Sequence, residues 1–274
     1  MRWIENYLDE DVGDGDITTL SLIGNERGTA RIKINEDGVV AGLEEVVDLF
    51  QYLGLEVVPL VADGDAAPAG TNILSIEGPL RSILTGERLA LNIMMRMSGI
   101  ATLTREIITT CRVQNPDVRV AATRKTTPGF RLFEKKAVVI GGGDPHRSRL
   151  DDSVLIKDNH LKVVGSITEA VRRAQKVSFT KKVEVEVESI DGAEEAAMAG
   201  ADIILLDNMD YKEAARCAEV IRRIDPRIIV EASGDITPTN APEYAEAVDV
   251  ISLGWITHSI KAISFSLDVL EIRN

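Results

Sequence analysis

Hydrophobic and polar positions follow one rhythm before residue 115 and another after it. Residues 28–36 set Ala30, Ile32 and Ile34 on one face and Arg31, Lys33 and Asn35 on the other, the two-residue period of a half-buried strand. Asp37-Gly38 predicts a turn, and Val39-Val40-Ala41-Gly42 continues the strand. Residues 43–53 read as a helix. Residues 56–60 and 72–77 read as a second strand pair, separated by Asp63-Gly64-Asp65 and Pro68-Ala69-Gly70. From Ser82 to Cys111 the period turns helical, with Leu84, Leu89, Leu91, Ile93, Met94 and Met97 apolar and an interruption expected at Ser98-Gly99. Met94, Met95 and Met97 fit core filling better than a cofactor box. Arg88 and Arg96 are candidates for an exposed or interfacial role, and Asn115-Pro116-Asp117 ends the pattern.

The rest of the chain reads as short apolar runs that each stop at polar or glycine residues. Residues 118–122 stop at Thr123-Arg124-Lys125, residues 137–140 at Gly141-Gly142-Gly143, and residues 154–156 at Lys157-Asp158-Asn159. Residues 183–187 follow, then 203–206 before Asp207-Asn208, 228–230 before Glu231-Ala232-Ser233-Gly234, and 248–253 before Gly254. Helical patterns at residues 167–177, 192–199, 212–224 and 242–247 separate the later runs. Apolar strands alternating with helices predict a parallel sheet covered on both faces. Seven such units suit an α/β barrel better than an open doubly wound sheet, and no GxGxxG fingerprint or Walker lysine loop occurs. Barrel chemistry sits at the C-terminal strand ends. Arg124, Lys125, Lys157, Glu186, Asp207 and Ser233 all take that position.

Charge sharpens this picture. The chain carries a formal charge of −13, which argues against general nucleic-acid binding. Yet residues 119–157 hold nine Lys/Arg against four Asp/Glu. A cationic island in an anionic protein points to a phosphate or carboxylate pocket. At 274 residues and 45% apolar content there is room for one large domain or two smaller ones. No apolar run approaches the roughly 18 residues of a membrane span, and the first residues lack a signal-peptide core, so a cytoplasmic location is expected. Cys111 and Cys217 have no CxxC or Cys/His partner and are expected as buried free thiols.

Glu184, Glu186 and Glu188 alternate with valines and therefore point to one side of their strand. Unpaired buried carboxylates cost several kcal/mol each. Either this strand is exposed on one face, or its glutamates line a site that faces the basic residues. In such a two-sided pocket the cations hold anionic groups, while the carboxylates stabilise a cationic transition state or position Mg²⁺ through water. Ser233-Gly234 and Gly254 can bring backbone N–H groups to a phosphate. The three histidines lack metal-ligand spacing, and no nucleophile–base–orienter triad is evident. The acidic residues 9–16 read as a solvated turn capping neighbouring helices. Residues 63–77 resemble part of a biotinyl/lipoyl carrier fold but offer no lysine between Gly54 and Leu80.

Together these motifs resemble the quinolinate phosphoribosyltransferase family, nearly end to end. The resemblance is carried by Leu8-Asp9-Glu10-Asp11, Gly15-Asp16-Ile17-Thr18, Glu87-Arg88-Leu89-Ala90-Leu91-Asn92 and Ser98-Gly99-Ile100-Ala101-Thr102. It continues through the segment from Thr123 to Gly129, His146-Arg147, Lys157-Asp158-Asn159-His160, Val183-Glu184-Val185-Glu186, Asp207-Asn208, Glu231-Ala232-Ser233-Gly234 and Thr257-His258-Ser259. It implies an N-terminal α/β sandwich over residues 1–103, joined by a C-terminal tail at 264–274. An open seven-stranded α/β barrel of the type II phosphoribosyltransferases would occupy residues 104–263. The implied reaction joins quinolinate to 5-phosphoribosyl-1-diphosphate with Mg²⁺, giving nicotinate mononucleotide, diphosphate and CO₂ in de novo NAD synthesis.

By position, Arg124, His146, Arg147 and Lys157 resemble the bases that hold the quinolinate carboxylates and the sugar diphosphate, with Lys125 between the two substrates. Glu186 and Asp207 resemble the carboxylates near the ribose hydroxyls and the metal, which they would reach through water or substrate. Ser233, Gly234 and Gly254 resemble the 5′-phosphate cradle, and Thr123, Asp235 and Trp255 complete the binding set. Lys125, Lys157, Glu186 and Asp207 are the expected catalytic group. Arg88 would reach into a partner chain's site across a two-fold interface, implying a homodimer, or a hexamer built of dimers; neither nucleic acid nor membrane is an expected partner. Asp144-Pro145 and Arg149 depart from the usual family pattern around His146-Arg147. The alternatives are a molybdenum-operon paralogue of the same fold, whose sequences tend to lose the Lys-Asp-Asn-His stretch, a catalytically silent anion-binding barrel, and a nicotinate phosphoribosyltransferase.

Overall fold

The structure, a computed structural model, describes residues 2–273. Its chain divides into two compact units. One comprises the residues up to Thr102 together with those from Ile260 onward, and the other is Leu103–Ser259.

In the first unit the elements run α1 (Arg2–Val12), α2 (Ile17–Leu22), β1 (Arg27–Ile34), β2 (Gly38–Val39), α3 (Leu43–Tyr52), β3 (Glu56–Pro59), β4 (Ala66–Ala67), β5 (Asn72–Pro79) and the start of α4 (Leu80–Cys111). The alternation at residues 28–36 becomes β1, which pairs antiparallel with β5 on one side and with β12 (Phe265–Arg273) on the other. The sheet order is β12-β1-β5-β3. Its core holds Ile32, Ile34, Leu49, Phe50, Leu74 and Ile76, all fully buried. The acidic segment at residues 9–16 is partly helical. Asp9 to Val12 finish α1, and Asp16 caps α2 by accepting the Thr19 N–H at 2.9 Å. The carrier-like stretch serves the fold. Its Asp63 caps α3, accepting the Leu43 N–H at 3.0 Å where Gly42 has no side chain to do so.

Ser98-Gly99 does not interrupt the long helix, which is continuous through α4. The two residues are small because backbone comes close. Ser98 is fully buried; its Oγ accepts the Ala41 N–H at 3.0 Å and donates to the Ala41 carbonyl at 3.2 Å. A Cβ on Gly99 would stand 2.4 Å from the Lys261 carbonyl oxygen.

The second unit continues from the end of α4 through β6 (Arg119–Ala122), α5 (Arg131–Gly141), β7 (Val154–Ile156), α6 (Asp158–Val164), α7 (Ile167–Ala174) and β8 (Val183–Val187). It then runs through α8 (Ile190–Met198), β9 (Ile203–Asp207), α9 (Tyr211–Ile224), β10 (Ile229–Ser233), α10 (Ala241–Tyr244), β11 (Val250–Leu253) and α11 (Trp255–His258). The strands form one parallel sheet in the order β6-β11-β10-β9-β8-β7. The expected strand at residues 137–140 is instead the last turn of α5. Phe133, Ala137, Val138 and Gly141 are buried at helical spacing, while Leu132 and Val139 face out. The seventh position is a single parallel bridge from Asp144 to Ala121 beside β6, held by Asp144 N–H to the Val120 carbonyl at 2.8 Å and Ala122 N–H to the Asp144 carbonyl at 2.9 Å. Six strands and this bridge make an α/β barrel left open between Asp144 and β7 among the described residues.

Replacing Gly99 by Ala should lower stability by about 1–3 kcal/mol, because the Lys261 backbone must move to admit a methyl group. Urea unfolding checks this, and an unchanged midpoint and slope would contradict the close approach.

Candidate active site

A cavity of about 550 Å³ opens at the C-terminal ends of these strands, and every residue lining it belongs to the second unit. Thr123, Arg124 and Lys125 follow β6, His146 and Arg147 follow the bridge, and Lys157 follows β7. Glu186 comes from β8, Asp207 from β9 and Ser233 from β10, with Gly234 and Asp235 just beyond. Three expected residues do not line it. Arg88 is exposed on α4 within the first unit. Gly254 lies behind Lys125, where an added Cβ would stand 2.9 Å from Lys125 Cδ, and Trp255 opens α11 with an exposed side chain.

Backbone strain marks the same place. The non-glycine residues with positive φ among those described are His146 (51°), Asn208 (53°) and Asp235 (45°), and all three line the cavity. His, Asn and Asp tolerate this region best, but it still costs free energy that surrounding contacts must offset. At the end of β10, Gly234 has φ 86°, and an added Cβ there would stand 2.3 Å from Asn208 Oδ1. Gly234 and Asp235 both have positive φ, so the chain turns sharply beside the cavity at the end of β10.

The His146-Arg147 loop is braced from beneath. Lys135, 4% exposed, donates from Nζ to the Pro145 carbonyl and, at 3.3 Å, to the Arg147 carbonyl. Asp144 Oδ1 accepts the His146 N–H at 2.7 Å. Thus the unusual Asp144 closes the loop on itself. Arg149 lies outside the cavity lining and pairs with Asp151 at 3.1 Å. On the facing side Thr257 Oγ1 donates to the Lys125 carbonyl at 2.8 Å, and Thr123 Oγ1 accepts the Lys125 N–H at 3.1 Å. His160 does not enter the cavity lining; its Nδ1 accepts the Lys157 N–H at 2.9 Å at the start of α6.

Charges of both signs meet here. Arg124 carries a buried Nε with no acceptor among the described residues, and burial lowers the pKa of Arg147. Half-buried guanidinium groups lining a cavity are what an anionic ligand would pair with. Lys157 Nζ pairs with Glu186 Oε2. Next to them Asp207 is raised above the usual carboxylate range, by burial first and by the Glu186 charge second. Of the three alternating glutamates, Glu184 and Glu186 are buried, whereas Glu188 lies beyond β8 and is exposed.

Below this level His146 Nε2 faces Glu231 Oε2 at 3.3 Å and Glu184 Oε2 at 3.6 Å. Burial alone would push His146 down; facing two ionised carboxylates, Glu184 and Glu231, it would instead be lifted to about 10, a pull that weakens once either carboxylate takes up the proton. Burial raises Glu184. His146 was expected to hold substrate, but both its ring nitrogens turn to the protein, since Nδ1 accepts the Arg147 N–H at 2.8 Å.

Sequence reasoning missed Asn208, Glu231 and Ser252 as lining residues. Asn208 and Glu231 stand inside motifs already singled out, and inward alternation along β10 from Ser233 leads back to Glu231. Ser252, hidden in an apolar run, gave no signal.

Strand-end cations facing paired carboxylates define a barrel enzyme for anionic substrates. A family model described as quinolinate phosphoribosyl transferase, C-terminal domain, matches residues 100–268, and the corresponding N-terminal domain model matches residues 16–98. This chain belongs to the quinolinate phosphoribosyltransferase family. It is 50% identical to a probable nicotinate-nucleotide pyrophosphorylase [carboxylating] of Methanothermobacter thermautotrophicus, over all of both chains. It is 38% identical to the human nicotinate-nucleotide pyrophosphorylase [carboxylating], over 96% of this chain and 89% of that one. The solved nicotinate-nucleotide pyrophosphorylase of Francisella tularensis superposes with a TM-score of 0.90 at 37% identity, covering 98% of this chain and 95% of the other.

Burial pushes the brace Lys135 down from 10.5 to about 8. Between those values the folded chain has released a proton that the unfolded chain still holds. Stability from this site therefore rises with pH across that window. The stability difference between the protein and Lys135→Met should move in favour of the unaltered protein by on the order of 1 kcal/mol from pH 7 to pH 9. Urea unfolding at both pH values checks the sign, and a shift the other way would contradict the buried ammonium.

Proposed function

We propose that this chain transfers the phosphoribosyl group of 5-phosphoribosyl-1-diphosphate to quinolinate. The products are nicotinate mononucleotide, diphosphate and CO₂, and the step belongs to de novo NAD synthesis. The observation that carries the reading is the single cavity joining Arg124, Lys125, Arg147 and Lys157 to Glu186 and Asp207. A dicarboxylate and a sugar diphosphate need those cations, and a ribosyl centre that becomes cationic as its bond to diphosphate breaks needs those carboxylates.

Arg124 and Arg147 would take the quinolinate carboxylates through forked donors. Lys125 would stand between the two substrates. Lys157 would exchange part of its pairing with Glu186 for the incoming anion. Ser233, Gly234 and Asp235 would cradle the 5′-phosphate, with Thr123, Gly254 and Trp255 at its margin, and His146 would form the floor. Glu186 and Asp207 would face the ribose, so that positive charge developing on the sugar meets two fixed carboxylates.

Glu186 and Asp207 also fit Mg²⁺, a hard cation that takes oxygen donors and keeps several waters. Asp207 is raised partly by its neighbour's charge, as expected where two carboxylates share too little positive charge. Held through water or substrate, the ion would supply charge neutralisation to the departing diphosphate.

No helix among the described residues is long and apolar enough to cross a membrane, and the cytoplasm is the proposed location. Self-association is part of the proposal. Arg88 is exposed, none of the cavity lining comes from its unit, and Ile17, Leu20 and Leu22 of α2 are exposed on that same unit. A two-fold homodimer, in which each cavity receives Arg88 from the partner chain, would complete the site.

Purified protein should release CO₂ from quinolinate only when 5-phosphoribosyl-1-diphosphate and Mg²⁺ are present; no release would sink the reading and leave a silent anion-binding barrel. In the same assay Lys157→Ala should lose at least tenfold in kcat/KM, as expected for a charge-assisted contact of about 1.5–3 kcal/mol, with an unchanged circular dichroism spectrum. Inactive Arg88→Ala and Lys125→Ala proteins, unfolded together and refolded, should recover about a quarter of normal activity, since half of the dimers are mixed and each has one intact site. Verified mixed dimers that stay inactive would exclude Arg88 acting across the interface.

A further inference from the structure

Beneath the cavity lies a cluster that the proposed chemistry does not use. Glu184 and Glu231 are 1% and 2% exposed, inside a barrel where apolar side chains would normally fill the space. Ser252, 3% exposed, donates from Oγ to Glu231 Oε1 at 2.5 Å. Neither oxygen of Glu184 has a hydrogen-bond partner among the described residues; His146 Nε2 stands 3.6 Å away, and the charges of Glu231 and Arg147 also act on it. A second cavity of about 320 Å³, at the opposite ends of the strands, is lined by Arg119, Asp144, Asp152, Lys182, Glu184 and Glu231, among others. His146, Arg147 and Glu231 line both cavities, so the cluster forms the partition between them.

One imidazole nitrogen and two carboxylates within 4.8 Å of one another could hold a metal ion. The other ring nitrogen decides against it. His146 Nδ1 accepts the Arg147 N–H at 2.8 Å, so its lone pair is occupied and the ring proton sits on Nε2. A metal at Nε2 would require a ring with no proton on either nitrogen. A fully charged imidazolium would place a second N–H against that of Arg147. The extra proton that this crowded cluster needs therefore belongs on Glu184, which leaves Glu231, held by Ser252, as acceptor of the Nε2–H.

We infer that Glu184, Glu231 and Ser252 are positioning residues that lock His146 as its neutral Nε2–H tautomer and thereby aim Arg147 into the cavity. The linkage is short. Glu231 fixes Nε2, the ring fixes Nδ1, and Nδ1 takes the backbone N–H of Arg147 itself. His146 is held in a left-handed backbone conformation, and losing either ring contact would release the turn that presents the guanidinium. The inference rests on the proposed substrate only where it says what Arg147 meets.

Long-range ¹H–¹⁵N NMR of the ¹⁵N-histidine-labelled full chain near neutral pH tests this without substrate, so an error in the substrate assignment leaves that measurement intact. There are three histidines, and the His146 signal is the one lost in His146→Asn. The expected result is a protonated Nε2 and an unprotonated Nδ1, unmoved by added Zn²⁺. A protonated Nδ1, or a Zn²⁺-induced shift at Nε2, would overturn the inference. Kinetics give the second reading. Glu231→Met should raise KM for quinolinate about tenfold, the size expected for a misaligned charge-assisted contact, and leave KM for the sugar diphosphate within about twofold. Glu231→Gln, which keeps a neutral acceptor for Nε2–H, should restore both KM values and the tautomer. If Gln and Met behave alike, Glu231 acts by its charge and the positioning role falls. The tautomer in the unaltered protein decides the matter even if both variants fail to fold.

Discussion

Lys157 and Glu186 meet across the ends of neighbouring parallel strands, and the cavity depends on that meeting. Glu186 belongs to β8, whose residues are all buried, and Lys157 follows the end of β7 beside it. A lone buried carboxylate on β8 would cost several kcal/mol, and Lys157 offsets part of that cost. With Lys157 opposite, the barrel tolerates charge at its mouth, and that charge stays available because the pair sits at the cavity wall rather than sealed in packing. The same constraint recurs below, where His146 answers Glu231 and Glu184. It recurs outside the sheet, where buried Lys135 answers two backbone carbonyls. Charged groups of opposite sign thus face one another at more than one depth in this unit.

In the proposed reaction this layering would separate binding from chemistry. Arg124, Lys125 and Arg147 come from segments after the strands, where backbone turns set their aim, whereas Glu186 and Asp207 sit on β8 and β9 themselves and are fixed by the ladder. In the proposed reaction, the cations that would meet the dicarboxylate stand on loops braced by Thr257 and Lys135. The carboxylates that would meet a developing positive charge stand on strands, where preorganisation is greatest.

Much of this was legible in the sequence because strand ends are marked by abrupt polarity. The runs at residues 118–122, 154–156, 183–187 and 203–206 were placed to within a residue or two of β6, β7, β8 and β9, and Arg124, Lys157, Glu186 and Asp207 followed from where those runs stop. The failures share one cause, which is that local pattern cannot see tertiary neighbours. Ala137 to Ile140 looked like a strand because four apolar residues in a row carry no period. Ser98-Gly99 looked like a break because the reason for small residues, Ala41 and Lys261, lies far away in sequence. Ser252 was invisible for the same reason, since only Glu231 on the adjacent strand gives its hydroxyl a purpose.

In the proposed reaction the cations serve binding and the paired carboxylates serve the transition state. Steady-state kinetics of Glu186→Gln and Asp207→Asn with quinolinate and 5-phosphoribosyl-1-diphosphate test it most directly. The account predicts a fall in kcat of about tenfold or more in each variant, with KM for both substrates changed far less. Variants whose KM rises while kcat stays at the unaltered value would contradict it and make these carboxylates ground-state binding groups.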